Sequence, residues 1–279
     1  LNNAETTATT HLTAFDSDGF TLGNDGAVNG NSDTYVSYNW LAGGSASSNG
    51  TGDITSSVSV NTTAGFSIVS YTGNGSATQT VGHGLGAVPK LMIFKRRSTS
   101  SDWIVYHNKR GATKYISLNS TGAGSAYEPY FGDTEPTSSV FTVDTAGDIN
   151  GSGDTFIAYC FAEKQGFSKF GIYRGNGNAV GPYVHCGFKP AWVLQKNTSA
   201  TQGWQLQDNK RNGFNGANKL LQPHTTQAES DVNRIDILSN GFRVITTDAG
   251  QNTNGSDYIY IAFAKSPYVS STGVPTNAR

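Results

Sequence analysis

Side chains bearing oxygen recur at alternate positions, with glycines between them, in Asp144-Thr-Ala-Gly-Asp148-Ile-Asn150-Gly-Ser-Gly-Asp154. Loops built around a hard cation have this pattern, which makes Asp148, Asn150 and Asp154 candidate Ca2+ ligands. Two comparable sets are Asp25, Asn29, Asn31 and Asp33, and Asp248, Asn252, Asn254 and Asp257. No glutamate closes the loop as in an EF-hand, and no flanking helix is evident. Asn and Asp between strands usually cap their own backbone, so a turn is the preferred reading and calcium the alternative. No other cofactor is implied.

A second constellation pairs an aromatic ring with a basic turn. Trp103 is followed by Asn108-Lys109-Arg110, and Trp204 by Asn209-Lys210-Arg211. The functional reading is a glycan platform, with Trp103 or Trp204 stacking on a sugar face while Lys109, Arg110, Lys210 or Arg211 bond hydroxyls or acidic groups. The competing reading is a core tryptophan before a solvated turn. Alternation in Trp103-Ile-Val105-Tyr-His107 puts Trp103, Val105 and His107 on one strand face, which favours the core. His83 and His185 correspond, but no metal-binding spacing accompanies them and zinc is not supported. Asp133, Glu135 and Glu128 lack counterparts in the second copy, and the sequence places no carboxylate pair across a cleft. No nucleophile elbow or phosphate cradle is present. The chain is therefore expected to be non-enzymatic.

The elements that position these residues come in tandem. Tyr71-Thr-Gly-Asn-Gly75 returns as Tyr173-Arg-Gly-Asn-Gly177, and Pro89-Lys-Leu-Met-Ile-Phe-Lys95 as Pro190-Ala-Trp-Val-Leu-Gln-Lys196, about a hundred residues later. Phe141-Thr-Val143 returns as Phe242-Arg-Val244. A partial third copy lies at the N-terminus, where Gly19-Phe-Thr-Leu22, Asn29-Gly30, Asp33-Thr-Tyr35 and Trp40 repeat a module's second half. The expected organisation is the second half of a preceding module over 1–44, a Gly/Ser/Thr-rich linker or arm over 45–63, modules over 64–166 and 167–268, and an extended tail over 269–279. On this reading the chain is part of something longer.

Short runs rich in β-branched and aromatic residues, bounded by Gly, Asn, Pro or Ser, predict about seven strands per module. They include Phe66–Tyr71, Lys90–Lys95, Thr155–Ala162 and Tyr258–Ala264, with Phe20–Leu22 and Thr34–Trp40 in the partial copy. The fold class is all-β, as tandem antiparallel, jelly-roll-like sandwiches. No window carries a helical period beyond one turn near Asp231. The 34 glycines and 14% charged residues fit a turn-rich β protein of low charge. A net charge of −1 gives no steering toward nucleic acid. No apolar run is long enough for a membrane span. Cys160 and Cys186 fall at non-equivalent points of the repeat, so they are expected as free buried thiols.

Several strings together resemble a recurrent domain of tailed bacteriophages, especially marine and cyanobacterial ones. They are Ser70-Tyr-Thr-Gly-Asn-Gly75, Val81-Gly-His-Gly-Leu85, Pro89–Arg96, Trp103–His107, Ala158-Tyr-Cys-Phe-Ala-Glu163, Gly187–Leu194 and Tyr258–Ala264. The resemblance covers about 64–268, and 15–44 as a half-module. It implies a virion structural protein, tail-fibre-like or an appendage, located on the particle exterior. Implied partners are other virion proteins, copies of itself (a trimer, by analogy with fibres) and a host-surface glycan or receptor. It carries no catalytic residues to transfer. A capsid or tail decoration protein without a receptor is the alternative, and a secreted lectin or glycan-active enzyme a further one.

Overall fold

The computed structural model describes residues 2–211, 215 and 219–266. The tail expected over 269–279 lies outside the described residues. The partial copy forms a hairpin of β1 (Leu12–Phe15) and β2 (Phe20–Leu22), then one helical turn, α1 (Gly26–Asn29). The first module has β3 (Ser47–Asn49), β4 (Ser56–Asn61), β5 (Phe66–Thr72), β6 (Gln79–Gly82), β7 (Leu91–Arg96), β8 (Ile104–His107), β9 (Lys114–Ser117) and β10 (Ser125–Ala126). After α2 (Glu128–Phe131) come β11 (Val140–Val143), α3 (Gly147–Asn150) and β12 (Thr155–Phe161). The second has β13 (Ser168–Arg174), β14 (Tyr183–His185), β15 (Pro190–Asn197), β16 (Gln205–Asp208), β17 (Lys219–Leu221) and β18 (Ser230–Asp231). It ends with β19 (Ile235–Leu238), β20 (Gly241–Val244), α4 (Ala249–Asn252) and β21 (Asp257–Ala264).

The expected all-β antiparallel sandwich is what the chain forms. In the first module an eight-stranded sheet, β10-β9-β8-β7-β12-β5-β4-β3, is covered by the β11-β6 pair. In the second a six-stranded sheet, β13-β21-β15-β16-β17-β18, is covered by β14-β20-β19. Two expectations are corrected. The stretch 45–63 is no free linker, because β4 pairs with β5 from Ser56↔Tyr71 to Asn61↔Phe66 and widens the sheet. Its small residues hide a period-2 pattern that buries Ser56 and Val58. Conversely, Thr34–Trp40 carries a strand's alternation yet forms none. Its counterparts β12 and β21 are central strands, each paired on both edges; the partial copy offers neither neighbour.

Alternation along the large sheets feeds two cores each. On β12, Phe156, Ala158 and Cys160 face the module's own core, while Phe161 faces the other module. On β21, Tyr258, Tyr260 and Ala262 point inward and Ile259, Ile261 and Phe263 outward. The outward faces pack together into a third core, the seam, which includes Leu91, Val105 and Ile116 against Phe170, Leu194 and Trp204. Burial on both faces explains why β12 and β21 read as nearly continuous apolar runs. The equivalent residues Phe161 and Phe263 meet there, with ring centroids 5.8 Å apart. The seam is thus nearly self-complementary at that point.

Candidate functional site: the Asx clips and an aromatic cleft

The candidate cation loop is a structural clip. Its central residues form α3, whose last residue, Asn150, is fully buried. Asn150 Oδ1 accepts from the Asn74 N–H at 3.0 Å, and its amide donates to the Ser76 carbonyl at 2.9 Å. The second module repeats this, with Asn252 Oδ1 on the Asn176 N–H at 2.8 Å and its amide on the Asn178 carbonyl at 2.7 Å. The Tyr-x-Gly-Asn-Gly motif follows from the same clip. The Tyr71 and Tyr173 hydroxyls donate to the Ile149 and Gln251 carbonyls, each at 2.7 Å. A Cβ on Gly73 or Gly175 would lie 2.5 Å from the Gly151 oxygen or 2.2 Å from that of Thr253, so both positions exclude side chains. Gly75 and Gly177 hold φ of 70° and 68°, the left-handed region.

The three proposed ligands are not brought together. Asp148 accepts from Ser101 at 2.7 Å and Tyr130 at 2.9 Å, while Asp154 accepts from Ser98 at 2.6 Å and Arg96 at 3.3 Å. Asn150 is committed to the 74–76 loop. Among the described residues no group of three or more His, Cys, Asp or Glu is arranged to hold a metal ion.

The six residues of the basic-aromatic constellation also separate. Trp204 is fully buried in the seam, and its indole N–H donates to the Ser117 carbonyl of the other module at 3.0 Å. That corrects its reading as a sugar platform, since no face is open for stacking. Trp103 is half-buried just before β8, with its N–H on Asn119 Oδ1. Arg211 is spent on Asp208 at 2.6 Å, Glu229 at 3.0 Å and the Lys219 carbonyl at 2.8 Å. Arg110 is half-buried, whereas Lys109 and Lys210 are exposed. Asp133 is exposed, and Glu135 accepts from the Tyr106 hydroxyl and the Ala112 N–H. The Glu128 side chain lies outside the described residues.

Buried titratable groups lie at the seam, as His107 and Lys196, and in the inner cores, as Cys160 and Cys186. His107 Nε2 faces the Tyr260 carbonyl at 3.4 Å, and Nδ1 accepts from the Lys109 N–H at 3.2 Å. That pairing requires a neutral ring, and burial drives its pKa down to about 4. Lys196, wholly buried, donates to the Thr121 and Asn197 carbonyls; burial, with the Arg110 charge adding, lowers it to about 8. Cys160 and Cys186 are free and buried, and burial pushes both thiols up to about 12. Neither is in a nucleophile's environment.

A feature that sequence reasoning missed lies where the segment 37–42 crosses the seam. Tyr38, Trp40 and Ala42 pack onto the seam core. Trp40 meets Phe263, Trp192 and Phe161 edge-on at 5.2, 5.9 and 6.2 Å, and Tyr38 meets Trp192 at 6.0 Å. The Tyr38 hydroxyl donates to Asp208 at 2.7 Å. Beside these rings is a cleft of 850 Å³ that also includes Asn39, Asn61, Lys164 and Gln165. Its walls come from the N-terminal segment and both modules, a juxtaposition that no single motif could signal. The family model described as a domain of unknown function, DUF7483, matches residues 1–267. The chain belongs to that family. The DUF7483 match runs through the half-module, both modules and the seam as one stretch. No curated protein and no solved structure matches the chain.

Proposed function

We propose that this chain is a non-catalytic component of a bacteriophage virion, a tail-fibre or appendage adhesin that binds glycan on the host surface. The observation that carries the reading is the aromatic cleft at the crossing of the N-terminal segment and the seam. Aromatic rings flanked by Asn, Gln and Lys offer a sugar both an apolar wall and polar partners. The duplicated module supports it, because repetition on an assembled particle multiplies weak contacts. The trimer remains an analogy with fibres. The resemblance to phage modules supplies the setting, and the cleft replaces Trp204 as the contact.

Screening the full chain on a glycan array tests the reading. Binding should be lost in Trp40→Ala, with the circular dichroism spectrum unchanged, and kept in Lys109→Ala. Retention of every glycan by Trp40→Ala would refute the cleft as the site. Polysaccharide breakdown by the wild-type chain would refute the non-catalytic reading. The alternative of a capsid or tail decoration protein is favoured by the apolar surface on residues 12–36, and locating the chain in a virion reconstruction separates the two.

A further inference from the structure

Three equivalent residues, one from each copy of the repeat, meet at the centre of the seam. Trp40, Phe161 and Phe263 hold the same position in the partial copy and in the two modules. Their ring centroids lie 6.2 Å apart for Trp40 and Phe161, 5.8 Å for Phe161 and Phe263, and 5.2 Å for Trp40 and Phe263. Two residues earlier, Tyr38, Tyr159 and Ile261 correspond in the same way, and all three pack in or against the seam core. Equivalent residues meet in pairs at a twofold axis, whereas three in mutual contact require a threefold arrangement.

The contacts around this centre run in one direction. The first module lends its 121 loop to the second, where the Thr121 carbonyl accepts from the Lys196 ammonium at 3.3 Å and from the Gln202 N–H at 2.9 Å. The partial copy stands to the first module in the same relation. The Asn2 carbonyl accepts from Lys95, the equivalent of Lys196, at 3.3 Å and from the N–H of Ser101, the equivalent of Gln202, at 2.9 Å. In return, β21 of the second module reaches β8 of the first, where the Tyr260 carbonyl faces His107 Nε2 at 3.4 Å. The position of His107 in the second module is Asp208, and there the visitor is the partial copy, whose Tyr38 hydroxyl donates to Asp208 at 2.7 Å. The partial copy therefore comes before the first module and after the second. A head-to-tail contact either propagates into an open array or closes into a ring, and these contacts close at three copies.

We propose that the repeat builds a closed, pseudo-threefold ring within one chain. Each copy takes its neighbours from the same chain, so the modules neither stack into a longer array nor trimerise through the seam with other chains. The apolar surface that such a trimer would need, at Phe170, Leu194 and Trp204, is already buried inside the chain. This stands on the seam contacts alone and is independent of what the cleft binds.

Position 38 reports on the contact that closes the ring. A photoreactive phenylalanine analogue is placed there, and isotope-labelled and unlabelled full chains are mixed in equal amounts before illumination. Cross-links should reach the segments holding Trp192 and Asp208, and both peptides of each cross-link should carry the same label. Cross-links of mixed label would overturn the proposal, because the closing copy would then belong to a second chain. So would cross-links that miss the second module. Tyr38→Phe covers the case in which the analogue disturbs folding. Amide exchange across Gln205–Asp208 should then rise several-fold while that across Ile104–His107 stays unchanged, and equal exchange in the two strands would overturn the ring.

Discussion

The two complete modules share a backbone plan and an apolar inner core but fill four equivalent buried positions with opposite chemistry. Phe94, Tyr106, Ile104 and Ile149 of the first correspond to Gln195, Gln207, Gln205 and Gln251 of the second, all buried. In the first, Phe94 and Tyr106 pack on Phe131 at 5.9 and 5.6 Å. In the second, the Gln251 amide bonds Gln207 at 2.9 Å and Gln195, Gln195 bonds the Tyr173 hydroxyl at 3.0 Å, and Arg234 bonds Gln205 and Asp248. Gln195, Gln207 and Gln251 change together because a lone buried amide is costly while hydrogen-bonded amides are tolerated, and Gln205 is held separately by Arg234. The strand frame therefore does not depend on one core type. What the modules share is the clip and the seam.

The largest expected difference separates the equivalent tryptophans. Trp204→Ala empties the seam and should cost about 3–5 kcal/mol in urea unfolding, whereas half-buried Trp103→Ala should cost about half as much. Next comes pH. His107 is neutral in the fold with its pKa lowered to about 4. The unfolded chain therefore takes up a proton first, and stability present above about pH 6.5 is lost as pH falls toward 4, by up to about 3 kcal/mol. Stability profiles should show this slope, and His107→Gln should flatten it. In the inner cores, Ile149→Gln should cost about 2–4 kcal/mol by burying an amide without its network. Gln251→Ile should cost about 1–3 kcal/mol by stranding Gln195 and Gln207. Equal effects at these two sites would erase the contrast. Smallest are the tyrosine hydroxyls, with Tyr258→Phe losing about 1 kcal/mol and exposed Tyr35→Phe leaving the melting temperature unchanged.

Strands were legible in both complete modules where side chains alternate in size and polarity, whereas the same alternation in Thr34–Trp40 misled because the partial copy lacks the neighbouring strands. Phe20–Leu22 matches the expectation residue for residue, and Phe66–Tyr71 and Thr155–Ala162 differ from β5 and β12 by one residue at the end. β4 was missed because Ser56-Ser-Val-Ser-Val-Asn61 resembles linker composition, and its pairing with β5 is not a local property. The turns α1, α3 and α4 are one turn each, too short to show a helical period. The preferred turn reading of the Asx loops agrees with their geometry, although Asn150 proves to be a buried clip. The fates of Trp103 and Trp204 were illegible because equivalent positions in a repeat need not have equivalent surroundings. The cleft was invisible for a related reason, since three distant segments build it.

The seam core joins the two differently filled modules, which are expected to unfold as one cooperative unit. Differential scanning calorimetry of the full chain tests it most directly. One transition is expected for residues 45–266, with calorimetric and van't Hoff enthalpies in agreement, splitting or broadening in Trp204→Ala. Two separate transitions in the wild-type chain, each tracking one module, would contradict it.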